Sequence, residues 1–434
     1  MTRSIKQHNQ LIAVNLIDTI KDIEKNPPKI KGFSIPRLEY LIHLIICNKQ
    51  DNHPGAWSVL HMPYLRKIVP CAECYLRYLR DQGIIEWKNY SAGRNSRLYR
   101  LKVEGRTEFR RITDMGLINR IERIRRDLKR LNSKKYPKLN AYISKIRIDK
   151  DDAIKTTELK YTELKSIDPL KAASRRTFSL SEIDKINGGD IYIKCNSTNG
   201  RLDSNITRLP SELVKHVTLD GSSLIELDIR NSQPFFAASM MNPTPEVESV
   251  MNKYLGQKVT RFIKYMRLSE CKDVLQYQSL VTSGSFYEPF MRDKLREAGL
   301  LYLDRNDLKR DLFVVFFGKS GAWKYNTVAR VFKSSFPNVI EFLDKVKGKD
   351  YERLSIFLQR LESYTVLDRV VPRIIKDFPG LPFLTKHDSI LPVAIMVPFN
   401  VDQVVRVIIE VVYEVTGLIP QVRVKVNEKL KISA

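Results

Sequence analysis

Two aspartates stand where a metal-dependent phosphoryl transfer would need them. Across residues 223–236, Leu224, Glu226 and Asp228 alternate with Ile225, Leu227 and Ile229, and only the first set turns acidic. That period of two predicts a strand carrying Asp228 near its end. A helix is expected to start around Ser232, with Pro234 tolerated in its first turn. Residues 382–396 read as a hairpin with His387 and Asp388 at or near its tip. If the hairpin lies beside the first strand, Asp228 and Asp388 meet across the sheet. Such a pair can grip two Mg²⁺ or Mn²⁺ ions about 4 Å apart, one activating a 3′-hydroxyl and the other holding a triphosphate. Arg305, Lys309, Phe313 and Phe317 recur every fourth residue and so share one helix face. Two cations followed by two aromatic rings suit a nucleoside triphosphate, phosphates on the cations and base and sugar on the rings. Taken singly, each segment also fits a plainer role: a helix cap, a solvated turn, or a core stripe with snorkelling cations.

Other elements have to position these groups. Residues 1–32 read as one short helix ending at a Pro27-Pro28-Lys29 break. From 33 to 103 the pattern is an apolar helix through Leu41–Ile46, a short helix around Tyr64–Ile68, and a third from Cys71 to Gln82. Two short strands follow, Ile84–Lys88 and Ser96–Leu101. Three helices and a basic hairpin are the order of a winged helix-turn-helix, in which Arg77, Arg80, Lys88, Arg94, Arg97 and Arg100 would face a phosphate backbone. A winged helix devoted to protein contacts stays open. Cys71 and Cys74 form a C-x-x-C with no second pair, so two packed thiols are expected there and no zinc site. Residues 104–180 open on a basic helix with the apolar stripe Leu117, Ile118, Ile121, Ile124, Leu128 and Leu131. A second helix is expected at 137–148, and a polar boundary at 149–180. A basic helix pair ahead of the 181–434 segment lies where a polymerase thumb would, or is a linker bundle with a solvated basic face.

The chain has 434 residues, 43% hydrophobic and 28% charged, with 74 Lys and Arg against 49 Asp and Glu. That composition is globular, and a net charge of +25 favours a polyanionic partner, nucleic acid by default. No apolar run reaches the roughly 20 residues of a membrane span and no signal core is visible, so a cytoplasmic protein with no membrane partner is expected. Five scattered cysteines fit reduced thiols.

Four segments, in order, resemble motifs of family A DNA polymerases and the related single-subunit phage-type RNA polymerases. Arg305-x-x-x-Lys309 with Phe317-Gly318 resembles their fingers helix. His387, Asp388 and Ser389 resemble the H-D-S of the RNA enzymes, where the DNA enzymes have H-D-E. Thr198, Gly200, Arg201, Leu202, Ser204 and Pro210 resemble the DNA enzymes' T-G-R-L-S-S…P, and Asp228 with Ser232 and Gln233 resembles the first metal motif. Val397-Pro398, a helix over 402–415 and a strand over 421–426 resemble the end of that palm, so residues 195–428 are covered. The chain also resembles compact proteins of bacterial mobile elements and phages, which implies a bacterial or phage-infected cell.

The resemblance implies an α/β palm with helical fingers, a helical thumb-like pair and the N-terminal winged helix. It implies nucleotide addition on a DNA template from nucleoside triphosphates. Asp228 and Asp388 would bind metal and Lys309 would act at the triphosphate. Arg305, Phe313 and Phe317 would bind the nucleotide, and Arg201, Gln233 and His387 would face primer and template. Four departures matter. Phe317 replaces tyrosine; Ser389 replaces glutamate; the steric-gate glutamate has no counterpart, Phe235 falling nearest and expected to bind the nucleotide by blocking a 2′-hydroxyl by size; and nothing upstream suits a proofreading exonuclease. DNA synthesis is therefore favoured, with an RNA polymerase, a primase, or a plasmid or phage replication initiator with a degenerate palm as alternatives.

Overall fold

A computed structural model describes residues 8–48, 57–89, 97–102, 107–301, 305–394 and 400–426. The chain divides into two compact units, Met1–Lys194 with Ser204–Ser223, and Cys195–Asp203 with Leu224–Ala434. Among the described residues no helix is long and apolar enough to cross a membrane.

In the first unit a single core runs from Leu11 to Ile121, so the breaks expected at 32 and 103 fall inside one body. The reason is a pairing across the chain: the strand Asn9–Ala13 hydrogen-bonds antiparallel to Thr107–Arg111. No local pattern announces the first of these strands. Helices Ile35–Cys47, Met62–Ile68 and Ala72–Asp81 accompany a three-stranded sheet in the order Ser58–Val59, Leu98–Leu101, Ile85–Lys88, whose first strand lies between the first two helices and whose other two follow the third. The Ala72–Asp81 helix buries Ala72, Tyr75, Leu76 and Leu79. Cys71 and Cys74 lie off that face and are exposed, so the thiols are not packed as expected. The long helix Met115–Lys135 buries Leu117, Ile118 and Ile121, whereas Leu131 is 63% exposed. Its stripe is a core contact in the first half only. The second helix ends at Ile143, and a strand, Ile146–Ile148, follows.

The polar stretch at 149–180 holds two of the longer helices, Lys150–Lys165 and Pro169–Asn187. They pack on small side chains, among them Ala153, Thr157, Ala172 and Ser179. Small residues give close helix approach without the apolar periodicity that marks a helix in sequence.

In the second unit, four antiparallel strands pair in the order Phe383–Lys386, Ser389–Pro392, Glu226–Ile229, Val422–Lys425. Leu227 and Ile229 are buried, while Glu226 and Asp228 alternate onto the half-open face, as strand geometry requires. The helix Val401–Thr416 starts with a reciprocal cap between Asn400 and Gln403 and buries a stripe from Val404 to Val415. It packs on the Val422–Lys425 strand and on a continuous helical run from Glu352 to Asp377, whose middle, Tyr364–Val370, is π-helical.

An aromatic cluster sets the position of the Arg305–Phe317 helix. Tyr277, Phe286, Phe332 and Phe336 meet with ring centroids 5.1 to 6.5 Å apart. Phe316 joins at 6.2 Å from Phe332. Edge-to-face packing of this kind adds to simple area burial. Leu308, Leu312, Val315 and Phe316 face that core. The buried ammonium of Lys347 donates to the Val315 carbonyl at 2.6 Å, satisfying one of the helix's last free acceptors. Gly318 follows the last helical residue, and the backbone there admits only glycine, since a Cβ would lie 2.4 Å from the Val314 carbonyl oxygen.

Candidate active-site cleft

The two aspartates come together through the sheet register. Asp228 sits opposite Ser389, so Asp388 is one residue beyond a cross-strand pair. Lys386 pairs with Ser389, which leaves His387 and Asp388 as a two-residue turn. His387 takes a left-handed φ of 55°, and Asn231, at the start of the Ser232–Ser239 helix, takes 56°. Non-glycine residues rarely adopt that region, and such outliers collect at functional sites.

Both residues line a cleft of about 340 Å³ in the second unit. Arg201, Gln233 and Asp388 line it with them, and so does the outward face of the Arg305–Phe317 helix through Lys309, Phe313 and Phe317. The Phe313 and Phe317 rings meet edge-on at 5.0 Å, and the Lys309 ammonium lies 5.7 Å from the Phe313 ring centre. Lys309 is exposed and forms no ion pair among the described residues. Arg305 stands next to the cleft, its guanidinium donating to Asn231 Oδ1 at 3.3 Å and lying 5.6 Å from the Tyr287 ring centre.

Phe235 is elsewhere. It is fully buried, edge-on to Phe236 at 5.5 Å, because the Ser232–Ser239 helix turns its apolar face into the core. A size-exclusion role for Phe235 against the sugar is therefore corrected: its ring does not reach the cleft. Tyr287 does, and its hydroxyl is buried without a hydrogen-bond partner.

Glu362 organises the cleft, and no sequence pattern singles it out. Its side chain is 2% exposed. One carboxylate oxygen accepts from Arg201 Nε at 2.9 Å and Nη2 at 2.6 Å. The other accepts from Ser232 Oγ and Gln233 Nε2, both at 2.6 Å. A turn over 196–201 presents Arg201, closed by the Asn196 amide donating to the Arg201 carbonyl at 2.8 Å. Asn199 fixes the turn by donating to Gln359 at 2.8 Å. Glu362 also stands at the point where the helix passes into its π-helical stretch, a deformation frequent at functional sites.

The electrostatics are those of a crowded acidic centre with a basic rim. Burial, and then the nearby carboxylates of Glu362 and Asp228, push the Asp388 carboxyl up to about 8. Asp228 is held differently: it accepts from Ser389 Oγ at 3.1 Å and pairs with Lys425 at 3.1 Å. Lys425 also pairs with Glu226 at 2.9 Å, and although burial opposes it, these carboxylates hold its ammonium above the usual lysine range. Burial, then Arg305 and Arg423, lower the pKa of Arg230, so three guanidinium groups crowd the neighbourhood of Asp228. His387 is lowered by burial and by Arg201. Its Nδ1 and the Gln233 Oε1, both on residues that line the cleft, are buried without partners. Buried polar atoms are rarely left so, and these fit contacts to a bound ligand.

Among the described residues no group of three or more His, Cys, Asp or Glu is disposed to hold a metal. The fit to a divalent ion rests on chemistry: a carboxyl destabilised by two neighbouring carboxylates is offset by a hard cation. Mg²⁺ is commonly held by one or two carboxylates plus substrate phosphates.

In the first unit, Arg77 is exposed on the Ala72–Asp81 helix, but Arg80 pairs with Asp81 and Arg100 with Glu86. Arg80 and Arg97 lie 4.2 and 4.9 Å from the Trp87 ring centre, and Lys88 and Arg100 lie 4.6 and 4.7 Å from that of Trp57. The expected cations are thus present, partly engaged by acids and indole rings. Arg94 and Val397-Pro398 lie outside the described residues. No family model matches the chain, and no curated protein matches it.

Proposed function

We propose that the chain is a template-directed nucleotidyltransferase of the family A polymerase type, favouring DNA synthesis and lacking proofreading. The observation that carries this reading is convergence. Arg201, Gln233, Lys309 with its two phenylalanines, Glu362 and the His387–Asp388 turn come from five separate stretches of chain, yet border one cleft beside Asp228. A solvated turn, a cap and a core stripe would have no reason to share a wall.

In this reading Asp228 and Asp388 hold two Mg²⁺ or Mn²⁺ ions, which when bound supply activation of the 3′-hydroxyl and charge neutralisation at the triphosphate. Lys309 and Arg305 receive the triphosphate, with Arg230 adding positive charge nearby. Phe313 and Phe317 pack on the incoming base and sugar. Glu362 holds Arg201 and Gln233 toward the primer end, and His387 offers its unpartnered nitrogen to the same strand. The first unit contributes a duplex-binding winged helix, supported by the order of its three helices and small sheet and by Arg77, Arg80 and Arg97. The partners are therefore a DNA template with its primer and nucleoside triphosphates.

Primer extension with labelled dNTPs or rNTPs tests the reading. Synthesis should require Mg²⁺ or Mn²⁺. Asp228→Ala and Asp388→Ala should each abolish it while leaving DNA binding largely intact. Wild-type extension by either variant would overturn the assignment.

A further inference from the structure

The segment 252–267 carries Lys253, Lys258, Arg261, Lys264 and Arg267 and no acidic residue, with Tyr254, Phe262 and Tyr265 interleaved. Its helix, Gln257–Tyr265, buries only Thr260 and Ile263. Val259 is half-buried and the rest of the helix is exposed, Tyr265 at 86% and Phe262 at 41%; Tyr254, at the end of the preceding helix, is 39% exposed. Aromatic rings of that exposure are normally singletons; here three share one short stretch with five cations. Lys264 is paired, with Glu248 at 2.7 Å.

Other elements extend the same surface. The Arg360 guanidinium lies 4.3 Å from the Tyr254 ring centre, and the Lys345 ammonium 5.5 Å from that of Phe262. Arg360 is the neighbour of Gln359, which lines the cleft, and it donates to the Ser197 carbonyl at 2.8 Å, within the turn that presents Arg201. The surface is therefore continuous with the cleft through one turn and one helix.

We infer that this face, centred on Tyr254, Phe262 and Tyr265, binds single-stranded nucleic acid. Cations in a track neutralise phosphates, and exposed rings stack bases without regard to sequence. A duplex offers no unstacked bases to such rings, so the face discriminates for single strands. The inference rests on the template-directed reading above only for the source of the strand, the unpaired template adjoining the cleft.

The test uses the full chain and a fluorescein-labelled oligothymidylate of about 12 nucleotides, within the usual span of such sites. Tyr265→Ala combined with Phe262→Ala should weaken its binding roughly tenfold or more, and duplex binding less than twofold. Lys258→Ala with Arg261→Ala, both on exposed positions, should lower the slope of log affinity against log salt by roughly 1.5. Thermal melting checks that each variant is folded, and the charge pair decides if the ring pair is not. Unchanged oligothymidylate affinity and salt slope would overturn the inference. So would a loss confined to binding of phosphatidylserine–phosphatidylcholine vesicles, which would make the face a membrane contact. Single-nucleotide addition at a recessed end with one templating base is measured in parallel. Its absence in the wild type counts against the polymerase reading alone, since the oligothymidylate measurement needs no catalysis.

Discussion

Glu362 offers the sharpest perturbation. Four donors converge on its two carboxylate oxygens at 2.6 to 2.9 Å, and its side chain is 2% exposed. In Glu362→Gln the amide oxygen must stay with Arg201, which can only donate, and the NH₂ turns to Ser232 and Gln233, which must reverse to accept, while the Arg201 charge loses its counter-ion. Hydrogen bonds to charged groups are worth about 1.5–3 kcal/mol each, and a buried pair broken from one side costs about 3–5 kcal/mol. Glu362→Gln should therefore destabilise the protein by about 2–3 kcal/mol, and Glu362→Ala by about 3–5 kcal/mol. For a folding unit of this size that is a fall of roughly 10 °C in melting temperature for the alanine variant. Urea unfolding of Arg201→Ala, Glu362→Ala and the double variant isolates the pair. The coupling should exceed about 1 kcal/mol, whereas independent sites add within about 0.5 kcal/mol. In steady-state extension, Glu362→Gln should raise KM for primer-template more than it lowers kcat, because Arg201 loses its orientation while the aspartates stay. Additive free energies, or a kcat effect with unchanged KM, would refute the clamp.

Asp388 gives a pH test. Its folded-state pKa of about 8 lies above the ordinary 3.8, so its ionisation costs stability progressively as pH rises from about 4 to 8. Asp388→Asn should therefore raise the melting temperature at pH 8 in EDTA and leave it nearly unchanged at pH 4. Equal melting temperatures at pH 8 would sink that account. For the first unit, Arg77→Ala with Arg97→Ala should weaken duplex binding and reduce the salt slope by roughly two. An unchanged slope would assign that surface to another partner. Point variants are needed because removing residues 1–103 would cut the core running from Leu11 to Ile121. On sugar choice, dNTPs should be preferred with incomplete rejection of rNTPs, since Phe317 lacks a hydroxyl to select ribose. Phe317→Tyr should move the ratio toward rNTPs in competing-substrate kinetics, and a strong rNTP preference of the wild type would refute this. Phe235→Ala should instead destabilise by about 3–5 kcal/mol without acting on the sugar directly, as its ring is buried.

What the sequence determined by itself was local. Strict alternation around Asp228, a turn flanked by apolar runs at His387–Asp388, and a four-residue period from Arg305 to Phe317 all write their geometry into neighbouring residues. Those elements occur as Glu226–Ile229, the pair Phe383–Lys386 and Ser389–Pro392, and Arg305–Phe317. Tertiary structure decided the rest, because the deciding partners are far apart in the chain. Phe235 and Phe317 are both apolar in sequence; only the packing of their helices buries one and leaves the other on the cleft. Glu362 looks like any helix acid until Arg201, 161 residues away, and Ser232, 130 away, close on it. The strand Asn9–Ala13 exists because Thr107–Arg111 pairs with it, and the helices at 150–187 pack through small residues that leave no apolar rhythm. Charge, period and turn chemistry are readable residue by residue. Burial is a property of the pair, and the sequence names only one member at a time.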